Sequence, residues 1–169
     1  MITYEEALNI VINRNYILDK ELVTILQSRG RILLEDVHSD INMPPFNRSA
    51  VDGFACRRAD LGIDLEVVET VKAGQFPSKI IGMGECSRIM TGAPMPEGAD
   101  CVIMVEETIQ SDGGRIKFTG DKTKDNYSPF AEDVKVGECV LKAGTIIAPQ
   151  HIAIMAAVGY VNPVVSKKP

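Results

Sequence analysis

Asp52 followed by Gly53, with Asn47, Arg48 and Ser49 just before it, is the densest set of chemistry-bearing side chains in the sequence. A carboxylate beside glycine suits Mg2+, which binds through one or two carboxylates and several waters. A guanidinium among small polar groups suits an oxyanion. An Asp-Gly turn held by its own neighbours accounts for the same residues without a ligand. Thr91-Gly92-Ala93-Pro94 is a second candidate. A hydroxyl before glycine at a strand end can contact an anion, because backbone amides in turns attract oxyanions. It can also do no more than close its own β-turn. Glu106-Glu107 and Glu132-Asp133 are further carboxylate pairs, the second in a loop that a ligand can reach. No Ser/His/Asp set, P-loop or dinucleotide fingerprint is present.

The segments around these residues decide how they are positioned. Pro44 and Pro45 stiffen the entry to Asp52 by fixing φ and extending the residue before each. Phe54–Cys56, Leu65–Val71 and Glu85–Met90 read as strands, with a short helical turn at Arg57–Leu61. Cys101–Val105 reads as a buried strand continuing towards Ile109. Ser111-Asp112-Gly113-Gly114 is a hairpin turn, with Arg115–Thr119 as the returning strand. Further strands are expected at Arg31–Val37, Cys139–Leu141 and Tyr160–Val165. Helices belong to the chain's two ends. Thr3-Tyr4-Glu5-Glu6 is a capping box opening a helix over Tyr4–Arg14, with Ala7, Leu8, Val11 and Ile12 at helical spacing. Pro149 opens a second helix, with Ile152, Ile154, Met155 and Val158 on its apolar face and Gly159 at its end. The fold class expected is α+β, mostly β. A small discontinuous helix/strand domain (1–40 and 138–169) carries an inserted Gly- and Pro-rich β domain (41–137), barrel-like in form. Ser166-Lys167-Lys168-Pro169 reads as a linker.

Composition narrows the function classes. A net charge of −5 excludes a broad nucleic-acid surface, which needs clustered Lys and Arg. Arg48, Arg57 and Arg58 form the only basic knot. No apolar run approaches membrane-spanning length and the N-terminus lacks a secretory pattern, so the chain reads as cytoplasmic. Cys56, Cys86, Cys101 and Cys139 are widely spaced and form no C-x-x-C pair, which argues against zinc, and a reducing compartment argues against a disulfide; His38 and His151 are isolated and far apart.

Two stretches together carry a resemblance. Pro44-Pro45-Phe46-Asn47-Arg48-Ser49-Ala50-Val51-Asp52-Gly53-Phe54-Ala55 resembles the P-x-F-[DN]-x-S-x-x-D-G-[YF]-A signature of the molybdopterin molybdenumtransferase family (MoeA and the E domain of gephyrin). Arg88-Ile89-Met90-Thr91-Gly92-Ala93-Pro94-Met95-Pro96-Glu97-Gly98-Ala99-Asp100 is similar to the same family's R-I-x-T-G-A-x-x-P-x-G-x-D block. The resemblance implies molybdenum insertion: adenylylated molybdopterin and molybdate give molybdenum cofactor and AMP, with Mg2+ or a related ion. It implies catalytic roles for Asp52, with metal or water, and for Thr91, with an oxyanion. It places Arg48, Ser49, Gly92 and Asp133 at the substrate oxyanions.

The same resemblance implies a homodimer and contact with other molybdenum-cofactor assembly proteins. Two departures stand out. Where many members read N-x-R-x-x-G-E-D, this chain has Ser128 for the arginine and Ala131 for the glycine. The family's pterin-binding α/β domain, with its T-G-D-E motif, has no counterpart here. The expectation is therefore the N-terminal part of such a transferase, holding half of a cleft shared between subunits. The first helix would then pack on the pterin-binding domain. The alternative is a naturally short, non-catalytic dimerisation or assembly module.

Overall fold

The computed structural model describes residues 2–14 and 18–168. Pro169, the last residue of the expected linker, lies outside them. In chain order the elements are α1 (Tyr4–Asn13), β1 (Lys20–Leu22), β2 (Val37–His38), β3 (Arg48–Ser49), β4 (Gly53–Cys56), β5 (Glu66–Val71), β6 (Glu85–Ile89), β7 (Cys101–Met104), β8 (Thr108–Gln110), β9 (Ile116–Phe118), β10 (Tyr127–Ser128), β11 (Cys139–Leu141), α2 (Pro149–Ala157) and β12 (Val164–Ser166). They form two compact units, Met1–Asp40 with Val136–Pro169, and Ile41–Lys135. Among the described residues, no helix is long and apolar enough to cross a membrane.

The first unit joins the two ends of the chain. Its α1 begins at the expected capping box: Thr3 accepts from the Glu6 amide at 3.2 Å, and the Glu6 carboxylate accepts from the Thr3 amide at 2.8 Å. Such a cap stabilises a helix start by about 1 kcal/mol. No residue of α1 is buried, so Leu8, Val11 and Ile12 stand as an exposed apolar stripe. β1 pairs antiparallel with β12, and β2 with β11. Met155 of α2 and Val158, just past its end, enter a core with Leu33, Val37, Leu141, Ile147 and Val165, and Ile152 and Ile154 pack against it. Arg31 is buried there, its Nε donating to the Ser166 carbonyl at 2.6 Å and its guanidinium pairing with Glu21 at 2.6 Å.

Two expected strands are shorter than their sequence suggests. Arg31–Val37 is not one strand, because Ile32 bridges to Ile146 while Leu33 bridges to Val165, so no single partner runs alongside. Tyr160–Val165 is regular only from Val164, since Pro163 has no amide to donate and the Val161 and Pro163 carbonyls accept from Ile25 and Val23.

The second unit is built on a four-stranded sheet in the order β5-β6-β4-β7. β4 runs antiparallel to both neighbours, and β5 runs parallel to β6. Every residue of β4 is buried, because the sheet is covered on both faces. Phe54 and Cys56 join Leu65, Ile103, Ile116 and Phe118 on one side; Ala55 joins Val71, Ile89, Ala93 and Val102 on the other. Fully burying side chains of the Leu, Ile or Phe kind contributes about 1.5–3 kcal/mol each. Barrel closure is not seen, since the sheet ends at β5 and β7. The expected Cys101–Ile109 strand breaks after Met104. There Val105 donates to the Asp52 carbonyl at 3.2 Å, a 3-10 turn follows at Val105–Glu107, and β8 then pairs with β9 in the expected hairpin.

Register also aligns three cysteines that lie far apart in sequence. Cys56 is directly opposite Cys86 on one side and Cys101 on the other, and all three are fully buried. Burial pushes the Cys86 thiol up to about 12, and the neighbouring Cys101 together with burial pushes Cys56 up as well. All three are buried core thiols, with Cys101 held low by its hydrogen bond to Cys56 and shielded from solvent.

Candidate functional site

All of the predicted site residues lie in the second unit. Asp52 stands immediately before β4, and Thr91 two residues after β6. The β4–β6 register sets Gly53 opposite Ile89 and Phe54 opposite Arg88, so the start of one strand meets the end of the other. Gly53 is what allows β4 to enter so closely: a Cβ there would sit 2.0 Å from the Ile103 carbonyl oxygen. At the meeting point the Thr91 amide and the Thr91 hydroxyl both donate to Asp52 Oδ1, each at 2.7 Å. The carboxylate's Oδ2 takes neither bond.

Both residues are exposed. The two bonds hold Asp52 below its ordinary value of 3.8, the amide contributing most and the hydroxyl next; slight desolvation opposes them, and Arg88 adds a favourable charge. Asp52 is therefore an ionised, oriented carboxylate at ordinary pH. As a donor set for Mg2+ it fits the kind of site in which one carboxylate binds and waters or phosphate oxygens supply the rest. The Thr91 hydroxyl, like its amide, is engaged with Asp52 Oδ1.

The neighbouring loops are tied to the same framework. Gly92 adopts φ 86 and donates from its amide to the Ser49 carbonyl at 2.8 Å, while Ser49 donates back to the Ala93 carbonyl at 2.9 Å. Ser49 is buried and its hydroxyl donates to the Val51 carbonyl at 2.6 Å. Ser49 thereby ties its own loop together. Gly92 likewise uses its amide to hold the turn.

The segment from Asn126 to Val134 returns along the entry to Asp52. β10 pairs with β3, setting Tyr127 opposite Ser49 and Ser128 opposite Arg48. The Phe130 amide donates to Asn47 Oδ1 at 2.8 Å, the Ala131 amide to the Pro44 carbonyl at 2.9 Å, and the Asp133 amide to the Met43 carbonyl at 2.9 Å. Arg48 and Asp133 are both exposed. Asp133 is brought beside Met43, and no hydrogen bond joins it to Asp52 or Thr91 among the described residues. Ala131 has φ 57, a left-handed conformation that glycine adopts without strain. That is the physical reason a glycine suits this position.

The basic knot dissolves. Arg58 pairs with Asp125 at 2.6 Å and Arg57 lies 3.7 Å from Asp60, which leaves Arg48 as the knot's member beside the candidate site. The charge that sequence reasoning passed over is Arg88. It sits on β6 opposite Phe54 and bears on Asp52; its place at the head of the Thr91 block was the available signal.

Comparison with known proteins identifies the family. The MoeA N-terminal region (domain I and II) matches residues 2–159. A molybdopterin molybdenumtransferase of Staphylococcus aureus (strain Mu50 / ATCC 700699) is 36% identical over 176 residues, covering 99% of this chain and 42% of the relative. One from Staphylococcus epidermidis (strain ATCC 12228 / FDA PCI 1200) is 34% identical over 175 residues, with the same coverage of 99% and 42%. The crystal structure of a molybdopterin biosynthesis moeA protein from Pyrococcus horikoshii OT3 superposes with a TM-score of 0.85 at 36% identity, covering all of this chain and 46% of that one. The chain thus spans less than half the length of these relatives. The match over nearly its whole length, on the same fold, makes this chain a member of the MoeA N-terminal region family.

Proposed function

We propose that this chain supplies the Asp52 wall of a molybdenum-insertion transferase site, in which molybdate and adenylylated molybdopterin yield molybdenum cofactor and AMP. The observation that carries this reading is the double hydrogen bond from Thr91 to Asp52 Oδ1. It keeps the carboxylate charged and aimed while Oδ2 is available to a metal or a water.

Asp52 is the residue that would hold Mg2+, and the ion supplies charge neutralisation for the phosphoanhydride and molybdate oxygens. Thr91 orients Asp52. Arg48 is exposed at the rim and attracts the oxyanions. Gly92, Ser49 and Asn47 hold the two loops in register. Asp133 adds negative charge at the Met43 end, a second carboxylate for the ion's water shell. The remaining contacts come from a pterin-binding domain of a second subunit, in a cytoplasmic homodimer that works with other cofactor-assembly proteins.

A non-catalytic dimerisation or assembly module is the second reading, and the exposed α1 stripe of Leu8, Val11 and Ile12 favours it. Asp52→Asn separates the two in the native polypeptide that carries this chain. Loss of molybdenum insertion with dimerisation intact supports the transferase; unchanged insertion supports the module.

A further inference from the structure

In the first unit, pairing of β2 with β11 sets Cys139 directly opposite His38. Asp36 lies two residues before His38. Val37, between them, is fully buried in the core, so strand alternation directs Asp36 and His38 to the outer face. The register shift between Cys139 and Leu141 is a bulge, a feature that re-aims side chains on the strand that carries it. The result is a carboxylate, an imidazole and a thiol whose ligand atoms all lie within 4.8 Å of one another. Sequence spacing hides this group, since its members come from two segments a hundred residues apart in the chain.

From this juxtaposition we infer that Asp36, His38 and Cys139 form a binding site for a borderline-soft divalent transition ion, with Zn2+ the best match. Thiolate with imidazole selects such ions over Mg2+ and Ca2+, which favour all-oxygen shells. Tetrahedral Zn2+, with bonds of ~2.0 Å to nitrogen and oxygen and ~2.3 Å to sulfur, needs ligands about 3.5 Å apart. Small rotamer adjustments of exposed side chains meet that spacing. The Ala143 amide donates to Asp36 Oδ1 at 2.8 Å and orients the carboxylate. Asp36 and His38 are exposed and Cys139 is half-buried, so an entry path exists and the fourth position falls to water. Binding exchanges the Cys139 S–H bond, now donated weakly to the Leu141 carbonyl at 3.4 Å, for a metal–sulfur bond, and the proton leaves to solvent.

The test is titration of the full, untagged chain with Co2+. The expected result is one ion per chain with a thiolate-to-cobalt charge-transfer band in the near ultraviolet, displaced by Zn2+. Cys139→Ser abolishes the band, and His38→Ala or Asp36→Asn weakens binding by at least about tenfold. Cys56, Cys86 and Cys101 are fully buried, so the band reports Cys139; an ion at Asp52 produces no such band. In a second measurement, Zn2+ slows alkylation of Cys139 by at least about tenfold in the wild-type chain and not in His38→Ala. A folded chain with no charge-transfer band, a band that survives Cys139→Ser, or an alkylation rate indifferent to Zn2+ overturns the site.

Discussion

Thr91 directs both its amide and its hydroxyl to one oxygen of Asp52, across 39 residues of sequence and the β4–β6 junction. A charged acceptor with two donors on one oxygen is held more firmly than a turn aspartate needs to be. Thr91→Val removes the hydroxyl and leaves the amide. The Asp52 pKa, followed by NMR of its carboxyl carbon, is expected to rise towards 3.8 from below. The sign follows from linkage. The folded-state value is depressed, so any stabilisation from ionised Asp52 is present above its ordinary pKa and is lost as pH falls through the depressed one. An unchanged Asp52 titration in Thr91→Val contradicts the assignment.

Arg48 faces Ser128 across the β3–β10 pair. A guanidinium placed on either strand covers the same patch. Arg48→Ala is expected to weaken molybdate binding about tenfold, measured by calorimetry on the native polypeptide, and Arg48→Ala/Ser128→Arg to recover most of it. Stability should stay within about 0.5 kcal/mol, as for other exposed positions. Equal molybdate affinities in all three proteins remove Arg48 from the site.

Gly53 admits no side chain, because the Ile103 carbonyl occupies the position of its Cβ. Gly53→Ala is expected to destabilise the second unit by about 3 kcal/mol and to disturb Asp52 next to it. Thermal or urea unfolding measures the loss. Near-native stability contradicts the close approach of β4 to β7.

In the first unit Glu35 Oε1 accepts from the Tyr160 hydroxyl at 2.6 Å and from the Val164 amide at 2.8 Å. Desolvation, and then the bond and charge of Glu35, push Tyr160 up to about 12. The folded-state value is raised, so this contribution is complete below the ordinary tyrosine value of 10 and is lost as pH climbs through about 12. Ultraviolet titration should show Tyr160 ionising late. Glu35→Ala brings it down, and Tyr160→Phe costs about 1 kcal/mol.

Local signals in the sequence were legible and long-range register was not. The capping box at Thr3, Pro149 at a helix start and the Ser111–Gly114 turn each act through neighbours a few residues away, and each folds as expected. Arg31–Val37 and Cys101–Ile109 have strand-like composition, but their partners change midway, which composition does not encode. For the site, two motifs named Asp52 and Thr91, while their chemistry as a bonded pair emerged only from the β4–β6 register. That Ser49 is buried with its hydroxyl on the Val51 carbonyl is a product of the turn and not of residue type. The row of Cys86, Cys56 and Cys101, and the meeting of His38 with Cys139, are likewise products of register alone.

The measurement closest to the central claim is the rate of molybdenum insertion by the native polypeptide carrying this chain, given adenylylated molybdopterin, molybdate and Mg2+, with Asp52 intact or replaced by Asn. The replacement keeps size and one acceptor for Thr91, and removes the charge and the second acceptor. The account predicts a fall on the order of a hundredfold with unfolding behaviour unchanged. An Asp52→Asn protein that inserts molybdenum at the wild-type rate contradicts it.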